Sequence, residues 1–213
     1  MYNILIGCDH AYYEQWGVPL LKSVKHYAPW VNLHAHIVNT DSYTRLADVN
    51  YTTETRAFYS DESRIAYLQA VRFLKAYELF PGVEDHIITV DADSICTQSF
   101  TPAELDSIKH TPTILKHQKA GHWLAGFVSY GASRFKKDIY DLILSEPIEN
   151  WVYGRDQACM AELSNDIQYQ ECGDRWMKVG KPHKDAIFLT LKGNQKNTDK
   201  YLQHYNKIKE RVC

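Results

Sequence analysis

The chain has no surplus of either charge. Its 24 lysines and arginines stand against 26 aspartates and glutamates, a formal −2 with neutral histidines. That leaves no basic field to gather nucleic acid. No apolar run approaches the roughly 18 residues of a membrane span, so no transmembrane segment is expected. The first residues, Met1-Tyr2-Asn3-Ile4-Leu5-Ile6, have no basic segment or cleavage site and read as a strand rather than a secretion signal. Cysteine is sparse: Cys8, Cys96, Cys159, Cys172 and Cys213 are odd in number and form no CxxC pair. Reduced thiols and a cytoplasmic setting are therefore expected. His34 and His36 on a strand pattern read as surface residues rather than a zinc site. Repeats, low-complexity tracts and linkers are also missing, which predicts one domain over 1–213.

What is present alternates strand and helix patterns. Tyr2 to Cys8 reads as a buried strand and Trp16 to Tyr27 as a helix, followed by a second strand at Leu33 to Val38. Thr40 to Thr55 is polar and reads as a loop with a short helix near Ser42 to Val49. Ser60 to Phe80 is the strongest helix. Ser60 or Asp61 can cap it, Ile65, Leu68, Val71, Leu74 and Tyr77 recur at three-residue steps, and Pro81-Gly82 ends it. Ile87 to Val90 reads as a strand, as do Thr113 to Lys116, Phe127 to Tyr130, Ile167 to Cys172 and Ala186 to Leu191. Further helices are expected at Ser133 to Leu144, Tyr153 to Leu163 and Thr198 to Val212, the last packing on the domain. This order predicts an α/β fold with a mostly parallel sheet flanked by helices. Ligands of such sheets bind beyond the carboxyl ends of the strands.

The stretch "HIITVDADSICTQSF" drives an apolar strand straight into Asp91-Ala92-Asp93. If the chain stays extended, a period of two places both carboxylates on one side. Two ionised carboxylates in a cleft are costly unless a cation lies between them. Oxygen donors suit Mg²⁺ or Mn²⁺, and Mg²⁺ is commonly held by one or two carboxylates plus substrate phosphates. Asp91 and Asp93 are thus candidate metal ligands. The plain alternative is a turn, since Asp-Ala-Asp-Ser is also good loop chemistry.

The segment "YLQAVRFLKAYELFPGVEDHIITVDADSIC", Tyr67 to Cys96, resembles the core of glycosyltransferases of the GT-A fold, especially the family 8 type that includes galactosyltransferases and glycogenins. There too, a helix with an "RF" pair precedes a short loop and an apolar strand ending in DxD. "WLAGFVSYGASRF" (Trp123 to Phe135), "GRDQACMAEL" (Gly154 to Leu163) and "IFLTLKGNQK" (Ile187 to Lys196) are similar to three later motifs of that family, in the same order.

The resemblance implies a GT-A, Rossmann-like fold and roles for individual residues. Asp9 and Tyr12 would meet the uracil and ribose; otherwise Asp9 caps a helix and Tyr12 sits in the core. Arg72 would bind the donor diphosphate or sugar, or else pair with a carboxylate such as Asp91, with Arg64 the second choice. Ala125 and Gly126 would face the donor sugar, although Leu124 stands where the family usually has asparagine. Asp156 would hold a sugar hydroxyl and Gln157 would sit near the anomeric carbon; Asp156 could also simply stabilise a helix start. Thr190 stands where the family has its third metal ligand, a histidine, leaving Thr190 itself, a poorer ligand, His183 or water for that place. Lys196 matches a phosphate-binding lysine, or is an ordinary surface lysine.

The implied activity is metal-dependent transfer of a hexose from a UDP-sugar, UDP-glucose or UDP-galactose first, to an unidentified acceptor hydroxyl, with retention. Two alternatives stay open. One is a phosphohydrolase of the haloacid dehalogenase type, whose DxD supplies a nucleophile and for which Ser94 is available. The other is a nucleotide-sugar-binding domain without turnover.

Overall fold

A computed structural model describes residues 2–116, 123–179, 184–190 and 199–212. Its first strand, β1 (Tyr2–Asp9), leads into a short helix α1 (His10–Tyr12), a π-helical turn (Tyr13–Gly17) and α2 (Val18–Tyr27). Pro19 lies in the first turn of α2 and has no N–H for the turn before it, which accounts for the widened turn. The chain continues through β2 (Asn32–Val38), β3 (Val49–Glu54), α3 (Asp61–Leu79), β4 (His86–Val90), β5 (Ser94–Cys96) and α4 (Pro102–Asp106). Next come β6 (Thr113–Lys116), β7 (Trp123–Ser129), α5 (Phe135–Ile143) and α6 (Arg155–Leu163). It closes with β8 (Gln170–Glu171), β9 (Met177–Val179), β10 (Phe188–Thr190) and α7 (Asp199–Val212).

Among the described residues the central sheet has seven strands in the order β3-β2-β1-β4-β7-β6-β8. The pairs β3–β2, β2–β1, β1–β4 and β6–β8 are parallel, and only β7 runs against its neighbours. The fold is therefore α/β with a mostly parallel sheet, as expected. A second sheet, β5-β10-β9, was not foreseen; its strands are three residues each, too short to show a period.

Apolar side chains on both faces bury the sheet. On one face Ile4 and Ile6 of β1 and Ile88 and Val90 of β4 pack with Leu20, Leu21 and Val24 of α2. On the other, Leu5 and Ile87 pack with Ala70, Val71 and Leu74 of α3. The amphipathic α7 lays Tyr205 and Ile208 against Trp16, Ile95 and Leu189.

Three local readings are corrected. The polar stretch read as a loop with a short helix contains β3 instead: Val49–Glu54 is an edge strand whose half-exposed residues hide its alternation. His36 is not at the surface; it is buried, with Thr52 Oγ1 2.9 Å from Nδ1 and Glu54 3.5 Å from Nε2. The row of three-residue steps on α3 is not wholly core. Each step turns about 300°, so the row drifts around the helix, and Ile65 ends 41 % exposed while Ala66, Ala70 and Phe73 take the buried face. Ser60 is the cap, its hydroxyl accepting from Ser63 N at 3.1 Å.

Candidate active site

Strand order reverses between β1 and β4: β2 and β3 extend the sheet to one side, and β7, β6 and β8 to the other. A crevice forms beyond the carboxyl ends of strands at such a switch point. Here it is a cleft of about 390 Å³.

The sheet and α3 are held together closely at this point. A β-carbon on Gly7 would lie 2.9 Å from Val71 Cγ1 and 3.0 Å from Arg72 N. Only glycine lets β1 approach the α3 backbone so closely, and this approach sets the position of Arg72. Gly7 carries no chemistry and was not singled out from the sequence.

Arg72 is 5 % exposed. Its Nη2 donates to Ala125 O at 3.0 Å and pairs with Asp91 Oδ1 at 2.9 Å and Asp156 Oδ2 at 3.4 Å. Its Nη1 donates to Gln69 O at 2.6 Å, and its buried Nε has no hydrogen-bond partner among the described residues. One guanidinium therefore joins α3, β7, the end of β4 and the start of α6. Buried arginine demands such anionic company.

The strand β4 ends at Val90, and the chain turns at once: Ser94 N donates to Asp91 O at 3.0 Å. The extended geometry assumed for the two acids thus gives way to a turn, yet both carboxylates line the cleft. Asp91 N donates to Gly126 O at 2.9 Å, which pins the turn to β7. Gly126 itself sits behind the acid rather than on the cleft: a β-carbon there would lie 3.2 Å from Asp91 Oδ2 and 3.1 Å from Met177 Sδ. Asp93, 4 % exposed, accepts from Tyr12 Oη at 2.8 Å and from Thr190 Oγ1 at 3.3 Å. Burial, followed by the Asp93 charge, drives the Tyr12 phenol far up from its ordinary range, so it stays a donor. Thr190, on β10, thus stands against the second acid, where the resemblance implies a third ligand.

Asp9 caps α1, accepting from Tyr12 N at 2.9 Å, and also lies 3.5 Å from Arg64 Nη1. Asp156 is in the first turn of α6, where its charge suits the helix dipole. Gln157 follows it on the cleft wall, and Gly154 N, just before the helix, donates to Gln69 Oε1 at 3.1 Å.

The cleft therefore collects Asp9, Tyr12, Arg72, Asp91, Asp93, Ala125, Asp156 and Gln157. Leu124 is buried in β7. Lys196 and His183 lie outside the described residues. Arg64, read as the lesser arginine, lines the cleft too, eight residues and so about two turns before Arg72. Missed entirely were Gln69 and Tyr153, both cleft residues whose chemistry has no sequence signature. Cys8 forms part of the floor; it, Cys96, Cys159 and Cys172 are buried free thiols.

Counted over the described lining residues, four carboxylates face two guanidiniums, a formal balance of −2. No group of three or more His, Cys, Asp or Glu side chains capable of holding a metal occurs among the described residues. The donor set at hand is the two carboxylates, both hard oxygen groups, with the buried Thr190 hydroxyl behind Asp93. That suits a hard divalent ion which a substrate's oxygens complete, not a closed protein cage. No described helix is long and apolar enough to cross a membrane.

No protein-family model matches this chain, and no curated protein matches it. The functional reading therefore rests on the residues of the cleft.

Proposed function

We propose that the chain is a metal-dependent glycosyltransferase of GT-A type, moving a hexose from a UDP-sugar to an acceptor hydroxyl. The observation that carries this reading is the pair Asp91 and Asp93 at the switch point, in a cleft of formal charge −2 that also holds Arg72. A diphosphate would be repelled by these acids alone, whereas a divalent cation cancels their excess.

In this reading Asp91 and Asp93 are the residues that would hold Mn²⁺ or Mg²⁺. When bound, the ion supplies positive charge to the departing diphosphate. Arg72 lines the same cleft, and its buried Nε–H, without a partner among the described residues, would donate to an arriving oxygen. Tyr12 and Thr190 orient Asp93 by hydrogen bonds, as outer partners of metal ligands do. Asp9 and Gly7 border the nucleoside end, and a second hollow beside it, of about 520 Å³, shares Asp9, Arg64 and Leu68 with the cleft. Asp156 and Gln157 border the sugar. As the glycosidic carbon gains oxocarbenium character, fixed charges at the leaving group lower the barrier more than they stabilise the ground state. No protein nucleophile is assigned; retention would then use attack on the face the diphosphate leaves.

Two observations make the phosphohydrolase alternative the weaker one. Ser94, the hydroxyl it calls on, is fully buried in β5 and is not among the cleft residues. The would-be nucleophile Asp91 is paired with Arg72 at 2.9 Å.

The test is calorimetry of UDP with and without MnCl₂, then assay of UDP release from UDP-glucose and UDP-galactose. Binding that needs the metal, disappears with EDTA and is lost in Asp93→Ala is expected. Equal UDP affinity with and without metal would refute the metal's role. Metal-dependent binding with no release against any acceptor would favour the non-catalytic domain.

A further inference from the structure

The cleft buries Arg72, Asp93 and Asp156, and its lining also includes large side chains that stay open to water. Tyr153 and Ile65 both line the cleft and remain 68 % and 41 % exposed. Tyr153 does not ride on a loose tip. On one side Gly154 N is tied to Gln69 Oε1 at 3.1 Å. Two residues ahead, Trp151 is buried, donates its indole N–H to Glu146 O at 2.9 Å and stacks on Tyr67 with centroids 6.1 Å apart. An aromatic ring is thus held at the rim on an anchored backbone, three residues before Asp156 and four before Gln157. Large exposed apolar groups beside a cleft mark contact surfaces, and tyrosine offers a rigid apolar face at small entropic cost.

We propose that Tyr153 and Ile65 form the acceptor platform, and that the acceptor is a neutral glycan. This rests on the transferase reading above. A pyranose has one face of C–H groups and a rim of hydroxyls. Its C–H face covers the Tyr153 ring while a hydroxyl enters toward Gln157. A divalent cation cancels the formal −2 of the cleft and the donor's diphosphate restores it, so the loaded site disfavours acceptors that carry carboxylate or phosphate near the reacting hydroxyl.

The experiment is calorimetric titration of the purified chain with lactose, maltotetraose, cellotetraose, 3′-sialyllactose and a Ser/Thr/Tyr-containing hexapeptide, each with and without UDP and MnCl₂. At least one neutral saccharide should bind. Tyr153→Ala should weaken it about tenfold, the loss of one stacking contact, and Tyr153→Trp should restore it. An unchanged thermal midpoint in Tyr153→Ala, expected for so exposed a ring, shows the fold is intact. The proposal is overturned if no neutral saccharide binds, if Tyr153→Ala binds as tightly as the parent, or if the sialylated sugar or the peptide binds best. The donor reading fails separately, through absence of metal-dependent UDP binding to the parent chain.

Discussion

Arg72 holds Asp91 at 2.9 Å with the same nitrogen that reaches Asp156 at 3.4 Å. The end of β4 and the start of α6 are thereby joined through one cation on α3. This junction gives the cleft its shape as well as its charge, so binding and stability are expected to fail together when it is cut.

Replacing Arg72 by methionine keeps much of the apolar contact but leaves Asp91 and Asp156 facing each other without a counter-charge. Breaking a buried ion pair by removing one partner costs about 3–5 kcal/mol. Urea unfolding of Arg72→Met should show a loss of that order, and added Mn²⁺ should recover part of it. A loss below about 1 kcal/mol, the usual worth of a surface pair, would mean that the junction is not structural.

Gly7→Ala tests the close approach of β1 to α3. The added methyl would sit 3.0 Å from the Arg72 backbone nitrogen, which belongs to a helix and cannot swing aside. Overpacking of this kind costs about 1–3 kcal/mol. Weaker metal-dependent UDP binding should accompany the lower melting temperature, because Arg72 moves with the backbone.

Tyr12→Phe removes a single hydroxyl, the one that donates to Asp93 at 2.8 Å. Loss of an outer partner of a metal ligand typically lowers metal affinity about 10–100-fold. The expected result is weaker Mn²⁺-dependent UDP binding by at least the lower figure, with the fold retained in circular dichroism. Unchanged affinity would separate Asp93 from the metal.

His86 lies far from the cleft and governs a pH response. Burial first, and then the Lys109 charge, lower its imidazole to about 4 from the ordinary 6.5. The unfolded chain therefore binds a proton between those values that the native chain refuses, so stability rises with pH there. Its contribution is complete above pH 6.5 and is lost as pH falls toward 4. His86→Gln should flatten that part of the urea-midpoint profile. A profile that keeps its slope would assign the effect to other groups.

The strand before the acids, the long α3 helix and the parallel order of the sheet were legible because each is a local pattern. An apolar pentapeptide or a helical repeat is complete within a few turns of chain. Of the residues named through the family resemblance, Asp9, Tyr12, Arg64, Arg72, Asp91, Asp93, Ala125, Asp156 and Gln157 line one cleft; Gly126 backs it, Leu124 and Thr190 are buried off its lining, and His183 and Lys196 lie outside the described residues. Less legible was β3, whose run Val-Asn-Tyr-Thr-Thr-Glu is an edge strand with a polar outer side. Ile65 misled in the other direction: an apolar residue on a core-like row faces the cleft mouth instead.

By itself, then, the amino-acid order determined the alternation of strands and helices and the placing of two acids at a strand end. Only the tertiary structure decided which charges meet. Arg72 and Asp156 are 84 positions apart, and Thr190 and Asp93 are 97 apart. Ion pairs and hydrogen bonds act over a few ångströms, whereas periodicity reports only on neighbours in the chain. The close passage of β1 over α3 at Gly7 belongs to the same class: a missing side chain has meaning only once another backbone is known to lie against it.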